Sequence, residues 1–389
     1  MNVTQAQHEA LTSIIHTIDS GETFPHIGQG FLARPILIEG DAGTGKTVVA
    51  TTLFYYLKTH PKYKSLKIGL VYSNPAMRNV IQQVFAHTPG LRKTDVIAPI
   101  DVTKHHYDII ICDEAQRLRQ AKNIGRYIVH FKKGNERLHL DNSHDELDWL
   151  LLNAGRLILF YDPKQIVCPS DISQTKFDGR LKDRKRGIRP VELKEQMRIH
   201  AGSQYVPYIY DILFQRNNIS KKFVNYDFKL FSSFQDMWNA LEEKEAAVKL
   251  CRFCSGYGWP WVSKEDSKKP DIQLEGREIW WNRQTDGWLQ NPEAKLEMGS
   301  IYSLAGLDIN YAAVIIGPDL IYDIKDQKIK VNRQNYFDNK VKQGVTDEEL
   351  TAFLLKTYAV LMTRGILGTY VYTCDQNLFR YLQRFIPTA

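Results

Sequence analysis

Short apolar runs recur along the chain, separated by polar stretches long enough to hold a helix. Pro35-Ile36-Leu37-Ile38-Glu39 is one such run, and residues 67–72, 107–112 and 156–161 repeat it. Each is almost continuously apolar, as strands covered on both faces of a parallel sheet are, rather than alternating like a half-exposed strand. In the second half the same reading gives strands over 247–253, 311–316 and 369–373, with helices over 347–361 and 376–385. The pattern predicts an α/β fold of two domains, 1–189 and 190–389, with parallel sheets flanked by helices. Two stretches break the pattern. Residues 117–153 are polar and charged and suit a small inserted subdomain, while 259–295 is Trp-rich and weakly patterned and suits a loop excursion. The chain has no internal repeat or low-complexity tract.

The first apolar run leads into Gly40-Asp41-Ala42-Gly43-Thr44-Gly45-Lys46-Thr47 and then a helical stretch from Val48. This strand, glycine-rich loop and helix is the setting of a phosphate-binding P-loop. The glycines let successive backbone N–H groups turn inward on a β-phosphate, and the helix adds the positive end of its dipole. Lys46 supplies a point charge for the β and γ oxygens, and the Thr47 hydroxyl suits one place in the octahedral shell of Mg²⁺. The run Tyr107-Asp108-Ile109-Ile110-Ile111-Cys112 ends in Asp113-Glu114-Ala115-Gln116. A carboxylate pair at a strand's carboxyl end, downstream of a P-loop, gives Asp113 the metal side and Glu114 the activation of the water that attacks the γ-phosphate. Together they predict ATP and Mg²⁺ as cofactors.

Asp113-Glu114-Ala115-Gln116 resembles motif II of superfamily 1 helicases, and further pieces of that family's pattern follow in order. Residues 3–11 resemble the Q motif, which implies that Gln7, chosen over Gln5, reads the adenine edge. Ser73-Asn74-Pro75-Ala76-Met77-Arg78 resembles motif Ia, implying nucleic-acid contacts from Ser73, Asn74 and Arg78; the same segment also reads as a helix N-cap with proline at the first helical position. Asp162-Pro163-Lys164-Gln165 is similar to motif III, which implies Gln165 as the γ-phosphate sensor and Lys164 as a nucleic-acid contact. Glu192-Leu193-Lys194-Glu195-Gln196-Met197-Arg198 resembles motif IV and residues 358–365 motif VI, making Arg198 and Arg364 candidate arginine fingers. Fingers from a second domain imply RecA-like domains with ATP between them, closing on binding and opening on hydrolysis.

Residues 251–261, 301–308 and 315–320 resemble the Schlafen group 3 type of DNA/RNA helicase domain, of which stand-alone bacterial or phage forms exist. This adds Ser303 as a nucleic-acid contact, and single-stranded nucleic acid as partner, DNA ahead of RNA. A protein partner such as a nuclease also follows from the resemblance. Within motif V the sequence departs from relatives, with Ala305 where they often carry glutamine and Asp308 where they often carry glutamate. The first change removes an amide that could link nucleic acid to the γ-phosphate, which sets ATP hydrolysis apart from robust unwinding.

Composition agrees with an intracellular enzyme. The apolar fraction of 43% over 389 residues fills two or three cores. No apolar stretch approaches the roughly 20 residues needed to cross a bilayer, and the five cysteines are too few and odd in number for a disulfide framework. A cytoplasmic location is expected. Cys251 and Cys254 have a CxxC spacing without a second pair to complete a zinc tetrahedron. The net charge of +7 is mild but uneven, with Lys176, Arg180, Lys182, Arg184, Lys185, Arg186 and Arg189 crowded together; phosphate tracking and a solvated loop both fit. Trp259, Trp261, Trp280, Trp281 and Trp288 offer core packing first and base stacking second. The leading expectation is therefore an ATP-driven translocase or helicase. An ATP-dependent binding switch in a multi-protein complex is the alternative, and a small-molecule kinase ranks last because it needs neither Glu114 nor the paired arginines.

Overall fold

The computed structural model describes residues 4–20, 35–182, 191–216, 219–283, 288–291, 294, 297–304 and 307–389. The chain divides into two compact units, Met1–Glu195 and Gln196–Ala389. The first unit runs through α1 (Gln5–Ser20), β1 (Pro35–Gly40), α2 (Lys46–Thr59), β2 (Ile68–Val71) and α3 (Pro75–Ala86). It continues through β3 (Val96–Ile97), α4 (Pro99–Val102), β4 (Tyr107–Cys112), α5 (Ile128–Arg137), α6 (Glu146–Asn153), β5 (Ala154–Tyr161), α7 (Gln174–Lys182) and β6 (Val191–Leu193).

Its six strands form one sheet in the order β3-β2-β4-β5-β1-β6, with every neighbouring pair parallel. Parallel strands need crossovers, and the helices supplied by those crossovers bury both faces. One face packs Ile14, Val49, Leu53, Phe54, Ile81 and Phe85 of α1, α2 and α3. The other packs Phe131, Leu147, Trp149 and Leu150 of α5 and α6 with Phe177 of α7. Residues 117–153 thus belong to the covering layer of the sheet and form no separate body. Their polar composition hides a sparse apolar stripe whose centre, Trp149, is fully buried and donates to Asn135 Oδ1 at 2.6 Å. Gly134 makes room for that ring, since a Cβ there would lie 2.6 Å from Trp149 Cζ2. Replacing Trp149 with alanine would cost about 3–5 kcal/mol. Strand β6 falls after residue 189 yet pairs with β1, Leu193 opposite Gly40, so the first unit extends to Glu195.

The second unit contains α8 (Tyr205–Leu213), β7 (Asp227–Phe231), α9 (Phe234–Val248), β8 (Cys251–Ser255), β9 (Ile272–Leu274), β10 (Arg277–Trp281), β11 (Glu297–Gly299) and β12 (Ile309–Ile316). Then come β13 (Leu320–Asp323), β14 (Lys328–Val331), α10 (Asn339–Lys342), α11 (Asp347–Met362), β15 (Gly365–Thr373) and α12 (Gln376–Leu382). Seven strands order as β7-β15-β12-β8-β11-β10-β9, parallel except for the β9–β10 hairpin, with β13–β14 a separate antiparallel pair. The expected strand from 247 starts later, at Cys251. Helix α9 persists to Val248, and the turn into β8 uses positive φ at Lys249 and Leu250. Helix α12 ends three residues short of the expected 385.

Within the Trp-rich stretch, where a loop excursion is expected, residues 272–274 and 277–281 are strands β9 and β10. Ile272 and Ile279 face the core across a two-residue turn, Glu275 (φ 44°) and Gly276 (φ 81°), whose paired positive φ values suit the twist of a hairpin. The Glu275 carboxylate accepts the N–H groups of Phe234 and Gln235 and the Ser233 hydroxyl, each at 3.0 Å. An anion at the amino end of α9 is favoured by the helix dipole, and these bonds hold its carboxyl below the ordinary value against burial. Trp281 and Trp288 are buried, and Trp288 donates to Glu297 at 3.2 Å. Among the described residues no helix is long and apolar enough to cross a membrane.

Candidate nucleotide-binding and nucleic-acid site

In the first sheet β5 lies between β1 and β4, so the loop after β1 and the carboxylates after β4 emerge at one edge, the carboxyl ends of the strands. Residues 40–45 curl there, with Gly43 at φ 86° and Gly45 at φ 84°, a region costly for side chains. Gly45 is doubly constrained, because a Cβ would fall 2.1 Å from Gln7 Nε2. Gln7 is itself fixed by a reciprocal cap: its Oε1 accepts the Thr4 N–H at 3.1 Å and its N–H donates to Thr4 Oγ1 at 3.3 Å. That use of Oε1 leaves the amide nitrogen against the loop.

Lys46 is 6% exposed and donates to the carbonyls of Gly40 (2.6 Å) and Asp41 (3.0 Å), with Asp162 Oδ2 3.6 Å away. Thr44 Oγ1 also closes onto the Asp41 carbonyl, at 2.9 Å. Thr47 Oγ1 donates to Asp113 Oδ2 at 2.7 Å, joining loop and β4. Burial and the neighbouring Glu114 push Asp113 up to about 6, against the opposing pull of Thr47 and Lys46. Two hard oxygen donors, one of them a carboxylate that burial makes reluctant to ionise alone, suit a divalent cation. Thr47 and Asp113 therefore fit the magnesium role.

Glu114 sits in the left-handed region at φ 54°, half-buried, with its N–H on Asp113 Oδ1. The Gln116 amide donates to Glu114 Oε2 while its Oε1 accepts the Asp162 N–H at 3.1 Å. This fully buried amide bridges the ends of β4 and β5. Asp162 is buried too; burial raises its carboxyl, opposed first by Lys46 and then by Gln165, whose Nε2 donates at 2.8 Å. Gln165 thus meets the phosphate site through Asp162 and Lys46. Asp162 and Gln116 carry no role in the sequence expectations, although both stand inside the motif II and motif III segments. The usable signal was that an uncharged amide and a carboxylate at adjacent strand ends must satisfy each other once buried.

Asn74 Oδ1 accepts the Ala76 N–H at 2.9 Å, capping α3 ahead of Pro75. Arg78 donates to the Tyr72 carbonyl at 3.0 Å, and Ser73 is 8% exposed. Lys164, expected with these as a nucleic-acid contact, lies at the phosphate loop and is paired with Asp41. In the second unit Arg198 Nε lies 2.6 Å from Asp308 Oδ1, and its backbone N–H is held by Gln196 Oε1 at 3.0 Å. Arg364 is buried just before β15, its carbonyl accepting the Ile309 N–H at 3.3 Å. Arg198, Asp308 and Arg364 gather at the amino ends of β12 and β15. Ser303 is buried in a turn, its hydroxyl donating to the Ser300 carbonyl at 2.9 Å, so a nucleic-acid contact would require that turn to open. Ala305 lies outside the described residues.

Arg180, from the basic run, is engaged within its own unit, 3.0 Å from Asp148 and 3.7 Å from Asp145. Arg184, Lys185, Arg186 and Arg189 lie outside the described residues. All five cysteines are free, and four are buried. Cys251 and Cys254 are three residues apart on β8 and so face opposite sides of the sheet, which rules out a shared metal. Burial pushes the Cys168, Cys251 and Cys374 thiols up to about 12 and raises those of Cys112 and Cys254 as well.

A family model described as Schlafen group 3, DNA/RNA helicase domain matches residues 34–375. An uncharacterized protein of Saccharomyces cerevisiae is 27% identical over 393 residues, covering 90% of this chain and 83% of that protein. Solved structures with weaker likeness include Pif1 helicase from Candida albicans, 11% identical over 96% of this chain and 95% of that one, at a TM-score of 0.37. The Arterivirus nonstructural protein 10 helicase is 11% identical, over 90% of this chain and 62% of that one, also at 0.37. Likeness at that level carries no weight for function.

Proposed function

Because the chain belongs to the Schlafen group 3 DNA/RNA helicase domain family, we propose that it is a nucleic-acid-dependent ATPase of superfamily 1 helicase type. It uses ATP and Mg²⁺ to translocate on, or remodel, single-stranded nucleic acid, with DNA ahead of RNA. The observation that carries the reading is the 2.7 Å bond from Thr47 to Asp113, which brings the phosphate loop and the acidic strand end into one buried site.

The loop amides of 43–47 bind phosphate oxygens, and Lys46 exchanges its bonds to the Gly40 and Asp41 carbonyls for the β and γ oxygens. Thr47 and Asp113 would hold the magnesium ion, which neutralises charge on those oxygens when bound. Glu114, steered by Gln116, accepts the proton of the attacking water. Gln165 couples phosphate occupancy to its turn through Asp162 and Lys46, and Gln7 offers its amide to the base. Arg198 and Arg364 are the proposed donors to transition-state charge, and Ser73, Asn74 and Arg78 the proposed contacts to the nucleic-acid backbone. Five unpaired thiols support a reducing compartment, the cytoplasm. Hydrolysis measured at low salt with a panel of single- and double-stranded DNA and RNA oligonucleotides should rise at least tenfold with single strands. A flat response across the panel overturns the reading.

A further inference from the structure

Asp41 is the second residue of a loop built to receive a triphosphate, and an uncompensated carboxylate there opposes phosphate oxygens at short range. Lys164 supplies the compensation from the end of β5. Its Nζ lies 2.7 Å from Asp41 Oδ1 and 2.9 Å from Oδ2, a two-oxygen contact by a single ammonium. The lysine is presented by a fixed turn: Pro163 precedes it, and Asp162 Oδ1 accepts its backbone N–H at 3.1 Å. Both side chains line a cavity of about 320 Å³ together with Gly40, Thr44 and Asp162. The pair therefore borders the phosphate loop, at the same turn that carries Gln165.

We propose that Lys164 is a positioning residue for the nucleotide: it cancels the charge of Asp41 and so sets triphosphate affinity, instead of contacting nucleic acid. The inference rests on the ATPase reading above. Asp41 and Lys164 are 34% and 42% exposed, so the effect weakens as salt rises.

The test measures equilibrium binding of a fluorescent ATP analogue with Mg²⁺ to the full chain, and separately the oligonucleotide concentration that half-saturates hydrolysis. Lys164→Ala should raise the nucleotide Kd roughly tenfold at low salt and less at high salt. Lys164→Arg should stay within about threefold of wild type, whereas Asp41→Asn, which leaves the ammonium unopposed beside the loop, should lower the Kd roughly several-fold at low salt. The double variant Asp41→Asn with Lys164→Ala should return to within about threefold, because the charge needing cancellation is gone. The half-saturating oligonucleotide concentration should not move in any of them. An additive loss in the double variant overturns the inference, and so does a Lys164→Ala chain with unchanged nucleotide Kd, whether or not its oligonucleotide requirement rises. A wild-type chain that binds no ATP analogue while folded sinks the ATPase reading itself, which separates the two failures.

Discussion

Each unit presents the carboxyl ends of a parallel sheet, and each buries a carboxylate there, but the two surroundings differ. After β4, Asp113 has the Thr47 hydroxyl at 2.7 Å, Lys46 nearby and a glycine-rich loop of amides beside it. After β12, Asp319 has the Tyr358 hydroxyl at 2.7 Å on one oxygen, while the other is buried without a hydrogen bond among the described residues. Gly256, Gly258 and Gly317 close around it so tightly that a Cβ on any of them would come within 3.0 Å of the carboxylate. Burial drives Asp319 up to about 7, with only the phenol and backbone opposing, so that a large share of it stays protonated near neutral pH. An edge of the fold offers a position; the residues placed there decide whether it becomes a phosphate site. In the second unit the charged residues Arg198, Asp308 and Arg364 gather at the opposite ends of the strands.

That contrast can be broken by substitution. Lys46→Ala should raise the nucleotide Kd at least a hundredfold, whereas Asp319→Asn should leave it within about twofold; titration of a fluorescent ATP analogue reads both. Comparable losses would end the distinction between the edges. Glu114→Gln should lower kcat about 10²- to 10⁴-fold with nucleotide affinity within threefold, as single-turnover hydrolysis and binding would show. Arg364→Ala should cut kcat by roughly a hundredfold with little change in affinity if it meets transition-state charge. A fall in melting temperature with kcat retained would make it a structural arginine instead.

Asp319 sharpens the comparison through pH. Its folded pKa of about 7 exceeds the unfolded value, so the native state holds the proton more tightly. The stabilisation is complete below about pH 4 and is lost as pH rises toward 7 and through it, amounting to a few kcal/mol. Tyr358 and Cys374 face the same group and titrate far higher. Wild type minus Asp319→Asn, followed by denaturant unfolding from pH 4 to 8, should show this slope; a flat difference would refute it. The smallest effect belongs to Asp308→Asn, which loosens Arg198 and should lower kcat about threefold, read by steady-state hydrolysis.

The strands of the first unit were legible because burial on both faces writes an unbroken apolar run, and the P-loop because its glycines and lysine are adjacent in sequence. What escaped had physical reasons. Residues 117–153 hide their core contribution because the buried positions, Leu118, Phe131, Leu147, Trp149, Leu150 and Leu151, are scattered among charged ones over two short helices and the turns before them. The β9–β10 hairpin is short and its turn opens on glutamate, a residue seldom found at positive φ. The Lys164–Asp41 pair and the bond from Gln116 to the Asp162 N–H join residues 123 and 46 positions apart, whose partnership exists only after folding.

The cysteines make the molecule a convenient optical ruler. With every native thiol either shielded or held protonated at working pH, maleimide dyes will find almost nothing to react with. One engineered attachment point in each unit, chosen on exposed helix surface such as Gln83 and Glu242, would let energy transfer follow the two units through a catalytic cycle without first stripping the background.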